Sequence, residues 1–108
     1  MSRAIGFAAE DLASRYLLEH GFLLLERNFT TKFGEIDIIA KKDGILHFIE
    51  VKYSKKYDPL ERITPAKLAK LYKTIDLYLL QKGLDLPYQL DALIIQDEAI
   101  DFIENITF

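Results

Sequence analysis

Two carboxylates and one lysine near the middle of the chain have the residue types of a metal-dependent catalytic site. Asp37 lies in the run Gly34–Lys41, and Glu50 and Lys52 lie in the run Ile45–Tyr53. Carboxylate oxygens are the ligands that hard cations such as Mg²⁺ choose. A lysine ammonium beside such an ion would stabilise a hydroxide nucleophile or the charge that develops on a phosphate. These side chains can act together only if the chain folds back between the two runs.

The dipeptide Asp43-Gly44 predicts that fold, because Asp-Gly between two alternating runs is a strong β-hairpin signal. With these two residues in the turn, Lys42 pairs with Ile45 and the numbers of every later pair sum to 87. Asp37 then lies directly opposite Glu50, and Glu35 lies opposite Lys52. The other face pairs Ile36 with Val51, Ile38 with Ile49, and Ala40 with His47. That face is nearly all apolar, as a buried sheet face requires, and this supports the register.

Opposed carboxylates repel each other, so the predicted pair of Asp37 and Glu50 needs an explanation. A bound divalent cation would offset the repulsion. One carboxyl could instead stay protonated with a raised pKa, or the face could simply be wet, where the repulsion is weak. Lys52 has a plain alternative role as well, a cross-strand ion pair with Glu35 that contributes little if exposed.

The remaining sequence predicts a single α/β domain over residues 1–108. Helical spacing of apolar residues predicts a helix over 3–20 that stops at Gly21, and Thr64-Pro65 begins a second helix that ends at Gly83. Strands are predicted over 22–29, 34–41, 45–53, 88–96 and 99–106, with a polar loop over 54–63. The order α-β-β-β-α-β-β indicates one mixed β-sheet flanked by helices.

Composition narrows the classes of site and partner. The chain has no cysteine, which excludes a disulfide framework, a thiolate zinc site and a cysteine nucleophile, and which fits a cytoplasmic location. No apolar run approaches the roughly 20 residues of a membrane span, so no membrane partner is expected. The net charge is −3, but residues 52–82 carry +5 and the remainder carries −8. This distribution suits a protein that holds a metal in one place and phosphates in another, or it marks a solvated helix face.

The motifs Gly34-Glu35-Ile36-Asp37-Ile38-Ile39-Ala40 and Phe48-Ile49-Glu50-Val51-Lys52 resemble those of the YraN-like family of uncharacterised bacterial proteins. The resemblance extends over nearly the whole chain, and further residues that carry it are Gly6, Glu10, Arg27, Asn28, Lys67 and Asp91. That family looks like a branch of the PD-(D/E)XK nuclease superfamily, close to Holliday-junction resolvases. The resemblance therefore implies a restriction-endonuclease-like fold.

The resemblance also implies roles for individual residues. Asp37 would be the motif aspartate, and Glu50 and Lys52 would form the E-x-K element, as catalytic residues. Glu10, Asp37, Glu50 and the Val51 carbonyl would hold Mg²⁺ or Mn²⁺, and the substrate would be DNA, including branched DNA. A homodimer is expected by analogy alone, because a four-way junction has two-fold symmetry.

Two positions depart from the family's pattern. A basic residue common two positions after the motif lysine is Ser54 here, and an Arg-Phe-Asp stretch is Gln89-Leu90-Asp91. Nucleic-acid contacts are expected from Lys55, Lys56 and Lys67. Two hypotheses follow: a divalent-metal-dependent nuclease that hydrolyses phosphodiester bonds, or a non-catalytic module that keeps the fold and binds nucleic acid or protein.

Overall fold

A computed structural model describes residues 3–53, 64–97 and 99–106, with side chains from residue 8 onward. The elements in these ranges are α1 (Arg3–Glu19), β1 (Leu23–Thr31), β2 (Gly34–Lys42), β3 (Ile45–Tyr53), α2 (Pro65–Lys82), β4 (Tyr88–Gln96) and β5 (Ala99–Ile103). The predicted order α-β-β-β-α-β-β and the α/β class are confirmed. Within the described ranges, no helix is long and apolar enough to cross a membrane.

The last strand ends earlier than predicted. β5 stops at Ile103 rather than at residue 106, since Asn105 adopts a φ of 55° and turns the chain. The Ile106 N–H then donates to the Leu90 carbonyl at 2.8 Å, which returns the chain to β4. The first strand also differs, because it begins at Leu23 and continues to Thr31.

The described strands form one mixed sheet in the order β1-β2-β3-β4-β5. β1, β2 and β3 form an antiparallel meander, and β5 pairs antiparallel with β4. β3 and β4 run parallel, and the connection between them contains α2, as a parallel pair requires. β3 is therefore a central strand with a neighbour on each side.

Each face of the sheet is covered by one helix. The core on the α1 side contains Ala9, Ala13, Leu17, Phe22, Ile38, Ala40, Ile49, Val51, Leu93 and Ile95. The core on the α2 side contains Ile36, Ile39, Leu46, Phe48, Leu68, Leu71, Ile75, Tyr78, Leu90, Ala92, Ile94 and Ile106. Because both faces are buried, a charged side chain in the central strands must find a partner or a ligand.

The turn and the second helix form as their local sequences predict. Asp43 and Gly44 both have positive φ, 53° and 77°, which is the conformation of a type I′ hairpin turn. The Thr64 hydroxyl accepts a hydrogen bond from the Lys67 N–H at 3.1 Å and caps α2. Gly83 ends α2 in the left-handed conformation, at a φ of 61°.

The predicted hairpin register is confirmed from the turn as far as Ile38 and Ile49, but no further. The five pairs from Lys42 with Ile45 to Ile38 with Ile49 all follow it. The predicted pairs of Asp37 with Glu50, Ile36 with Val51, and Glu35 with Lys52 are wrong, because the ladder ends before them. The physical reason is that Asp37 Oδ2 accepts a hydrogen bond from the Val51 N–H at 2.8 Å. The Asp37 carboxylate thus accepts the hydrogen bond that a backbone carbonyl of β2 would accept in a regular ladder.

The alternative of a wet face on the side of Glu50 is wrong, because both faces of the hairpin are buried. Leu46, Phe48 and Ile39 share the face assigned to Glu50, and all three are fully buried under α2. Ile36 packs in that same core, whereas Ile38 packs on the α1 side. The alternation of β2 side chains between the two sheet faces thus breaks around Asp37, where the ladder between β2 and β3 ends.

Candidate metal centre

Asp37 occupies the split between β2 and β3. Its carboxylate accepts the Val51 N–H, so its position is fixed by the backbone of β3. Burial raises the pKa of Asp37 to about 6, and the nearby carboxyls of Glu10 and Glu35 act in the same direction. The Val51 hydrogen bond and Lys52 oppose the shift. The carboxyl therefore sits where holding a negative charge is costly without a cation.

Glu50 is the most deeply buried acid of this region, at 4% exposed. Its Oε2 lies 3.6 Å from Lys67 Nζ, an ion pair that brings α2 to the site. Its Oε1 is buried and has no hydrogen-bond partner among residues 3–53, 64–97 and 99–106. Burial, and next the charge of Asp37, raise the pKa of Glu50 to about 7, although Lys67 and Lys52 lower it. A buried carboxylate oxygen without a donor is the mark of a missing partner.

Lys52 projects on the same side of β3 as Glu50 and is half-buried. Its pKa is lowered, first by burial and then by the adjacent Lys67. Glu50 and Asp37 work against that shift. Lys52 thus lies within the electrostatic reach of both carboxyls, as the sequence predicts, but its predicted ladder partner Glu35 is not opposite it.

Three carboxyls from two elements come together at Asp37. Glu10 of α1 and Glu35 and Asp37 of β2 each offer an oxygen, and the three oxygens lie within 4.8 Å of one another. The sequence pattern predicts Glu35 only as a cross-strand partner of Lys52. Its spacing of two residues from Asp37 is the signal that places both on one side of a regular strand.

Arg27 of β1 limits the charge of this group. Its Nη2 lies 2.9 Å from Asp11 Oδ1 and 3.5 Å from Glu10 Oε2. The Glu10 Oε2 atom is nevertheless buried without a hydrogen-bond partner in the described part of the chain. The same holds for the hydroxyl of Ser14, one helical turn further along α1.

The residues present fit a divalent cation. Glu10, Glu35, Asp37 and Glu50 supply carboxylate oxygens, which hard cations prefer, and two of these side chains have an orphaned buried oxygen. Asp37 connects the other carboxyls of the centre. It is grouped with Glu10 and Glu35, and it also interacts electrostatically with Glu50. A cation at Asp37 would reverse the repulsion that raises the pKa of both buried carboxyls.

Of the three lysines predicted to contact nucleic acid, the structure describes Lys67. Lys55 and Lys56 lie outside the described residues. Lys67 is the ion-pair partner of Glu50, so it belongs to the carboxyl cluster, and its contact with phosphate stays a prediction. The role of the Val51 carbonyl as a metal ligand also stays a prediction, although Asp37 holds the Val51 amide in place.

Comparison with known proteins identifies the family. Residues 9–103 match the model of the uncharacterised protein family UPF0102. The chain belongs to this family. All the carboxyls and lysines of the candidate centre lie within the matched residues.

Close relatives of this UPF0102 chain occur in several bacteria. It is 50% identical over 104 residues to a UPF0102 protein of Campylobacter fetus, covering 95% of this chain and 93% of that protein. It is 49% identical over 106 residues to one of Nitratiruptor, covering 98% and 95%. It is 52% identical over 106 residues to one of Helicobacter pylori, covering 98% and 93%. The likeness therefore extends over essentially the whole length of each protein.

Proposed function

We propose that the protein is a divalent-metal-dependent nuclease that hydrolyses phosphodiester bonds in DNA, with branched DNA as a substrate class. The observation that carries the proposal is Glu50, a carboxylate 4% exposed with an unpartnered Oε1 beside Asp37 and Lys52. Carboxylates that are buried together are retained where a cation or a reaction uses them. The resemblance of the two hairpin motifs to PD-(D/E)XK nucleases supports the same function.

Asp37, Glu50 and Glu10 would hold Mg²⁺ or Mn²⁺, with Glu35 close enough to Glu10 and Asp37 to contribute an oxygen. When bound, the cation supplies Lewis acidity toward a phosphate oxygen and lowers the pKa of water. Asp37 also fixes the backbone of Val51, so the two strands hold a constant separation.

Lys52 and Lys67 supply positive charge beside the carboxyl of Glu50. Lys52, whose pKa is lowered, releases a proton more readily than an exposed lysine and stabilises negative charge that develops on phosphate. Lys67 offsets the charge of Glu50 before a cation binds.

The direct test is cleavage of a synthetic four-way junction, a single strand and a duplex, each with Mg²⁺ or Mn²⁺. The protein should cut at least one of these substrates, and Glu50→Gln and Lys52→Met should each lower the rate by roughly 100-fold or more, as expected for loss of an electrostatic group at a reacting centre. Glu19→Gln, on the exposed end of α1, is the matched control and should keep full activity. Absence of metal-dependent cleavage in a pure preparation, or equal cleavage by Glu50→Gln, would refute the proposal.

A second candidate is a non-catalytic module that binds nucleic acid or a protein. The ion pair between Lys67 and Glu50 favours it, because an ammonium already neutralises part of the carboxyl cluster. Calorimetry separates the two candidates. Divalent-cation binding that is lost in Asp37→Ala supports the nuclease, whereas DNA binding that is indifferent to metal and to this substitution supports the module.

A further inference from the structure

A second candidate site lies at the opposite end of the hairpin from the metal centre. A cavity of about 280 Å³ opens beside the turn at Asp43, between the end of α1, β3, β4 and β5. Its lining differs from that of the metal centre, since aromatic rings form much of it, together with polar groups and Lys42. A cavity of this size accommodates one small ring system rather than an extended ligand.

The walls of the cavity are aromatic. Tyr16 near the end of α1 and His20 just after it stack with their ring centroids 4.0 Å apart. Phe22 and Phe102 meet edge to face at 5.7 Å, and the ring of Tyr16 lies 6.3 Å from that of Phe102. His20 is exposed and Tyr16 and Phe102 are half-buried, whereas Phe22 is buried behind them. The accessible rings at this opening offer a surface on which a planar heterocycle stacks.

The polar side of the cavity rests on Asp91, which is fully buried. Its Oδ1 accepts hydrogen bonds from Gln89 Nε2 at 2.8 Å and from the Asn105 N–H at 3.0 Å. Its Oδ2 lies 2.6 Å from His47 Nδ1. The Asp91 carboxylate therefore accepts three hydrogen bonds, the third from His47 Nδ1–H, which fixes the His47 ring at the wall of the cavity.

Gln89 supplies an acceptor to the cavity. Its Nε2 donates to both Asp91 Oδ1 and Glu104 Oε1, the latter at 3.2 Å. Both amide hydrogens are thereby engaged, and only Oε1 is left to accept from a ligand. With the carboxylates of Asp43 and Glu104, the lining presents three acceptor groups and selects ligands that offer donors.

Charge argues against a phosphate in this cavity. Its lining carries the lysine Lys42 but also the acids Asp43 and Glu104. The Lys42 ammonium lies 5.1 Å from the Phe22 ring centroid, over the aromatic wall. The arrangement thus favours the flat, uncharged part of a ligand over an anionic group.

We propose that this cavity binds a nucleobase that carries an exocyclic amino group, as adenine, cytosine and guanine do. Thymine presents one N–H between two carbonyl oxygens, which the acceptors of the cavity repel. The base would belong to a DNA strand that also passes the metal centre, and this part of the proposal rests on the proposed function. α1 borders both sites, and Glu10 and Tyr16 lie six residues apart, about 9 Å along the helix axis.

The test is an NMR titration of the isotope-labelled protein in EDTA, so that neither cleavage nor metal binding enters the result. The probes are the pentanucleotides dA5, dC5 and dT5, and deoxyadenosine. The His47 Nε2 and Phe102 ring signals should shift with dA5 and dC5, and dT5 should bind about tenfold more weakly, the factor that one hydrogen bond of about 1.4 kcal/mol supplies. The pentanucleotide dA5 should also bind more tightly than deoxyadenosine.

Variants separate recognition from general binding. Gln89→Ala should remove the preference for dA5 over dT5, while Gln81→Ala, an exposed glutamine of α2, should keep it. Phe102→Leu should weaken all the pentanucleotides. Amide spectra that are unchanged away from the cavity verify the fold of each variant.

Equal affinity for dT5 and dA5, a preference that survives Gln89→Ala, or no shift at millimolar ligand would overturn the proposal. Equal affinity for deoxyadenosine and dA5 would overturn the assignment to a strand. Since the titration contains no metal, its failure is distinct from a failure of the nuclease proposal.

Discussion

The substitution Glu50→Gln should stabilise the metal-free protein at alkaline pH, although it removes an ion pair. Raising the pKa of Glu50 from 4.5 to about 7 corresponds to roughly 3 kcal/mol of cost once the carboxyl is ionised, at about 1.4 kcal/mol per pKa unit. The pKa of about 7 already includes the opposing effect of Lys67, so the lost ion pair needs no separate correction. The expected net gain at pH 8 is therefore about 3 kcal/mol, or roughly 15 °C in Tm.

The pH dependence has a definite sign. The folded pKa of Glu50 lies above the unfolded pKa, so the folded state keeps its proton longer and stability is lost as pH rises from about 4.5 to about 7. At pH 5 the carboxyl is still protonated in the folded protein. Because the unfolded carboxyl is already mostly ionised at pH 5, the advantage of Glu50→Gln over the wild type should shrink there to about 1 kcal/mol.

Urea denaturation followed by circular dichroism, at pH 5 and pH 8 in EDTA, measures these differences. Glu19→Gln is the matched control, an exposed glutamate whose replacement should change stability by less than about 0.5 kcal/mol at either pH. Saturating Mn²⁺ should reverse the order, because the cation stabilises only a protein that keeps its ligand. A Glu50→Gln variant no more stable than the wild type at pH 8 in EDTA would refute the reasoning.

Three further predictions concern the ion pair, the protons and the helix cap. Lys67→Met should raise the Mn²⁺ affinity several-fold in calorimetry, because the ammonium competes with the cation for Glu50. Lys70→Met is the exposed control. An unchanged or weaker Mn²⁺ affinity of the Lys67→Met variant would contradict this competition. Metal binding at pH 6.5 should release roughly one proton, and almost none at pH 8.5, since carboxyls with a pKa of about 6 and about 7 must ionise first. Calorimetry in two buffers of different ionisation enthalpy measures the release, and equal release at both pH values would count against it. Thr64→Ala should destabilise the protein by about 1 kcal/mol in urea, because the Lys67 N–H loses its capping acceptor; no change would show that the cap is dispensable.

The parts of the fold that depend on local chemistry could be predicted from the sequence. Asp43-Gly44 specified the turn, and alternating apolar residues specified the register of the five pairs next to it. Thr64 and Gly83 specified the ends of α2. In each case the deciding interaction lies within a few residues along the chain.

The split of the hairpin could not be predicted in this way. A register extended by arithmetic assumes that backbone groups keep pairing, whereas the Asp37 side chain takes the Val51 N–H. The break also moves Ile36 to the α2 side, where it packs with residues distant in sequence. Packing against α2 and pairing with β4 thus determine which residues of the hairpin are buried on each face, and the hairpin pattern alone does not.

Two further residues have partners that lie far away in the sequence and that the local pattern does not predict. The sequence places His47 opposite Ala40 on the packed face of the hairpin, which the structure confirms, but it does not predict the His47 partner Asp91. The partner lies 44 residues away, because β3 and β4 pair in parallel across α2. Glu35 joined the carboxyl group for a similar reason, since Glu10 reaches it from α1.

Anomalous scattering from a crystal soaked in Mn²⁺ shows whether the carboxyls around Asp37 hold a divalent cation. We predict one peak that contacts carboxylate oxygens of both Asp37 and Glu50, and that disappears in Asp37→Asn crystals soaked in the same way. No peak at saturating Mn²⁺, with Lys67 still paired to Glu50, would rule out a cation site at these carboxyls.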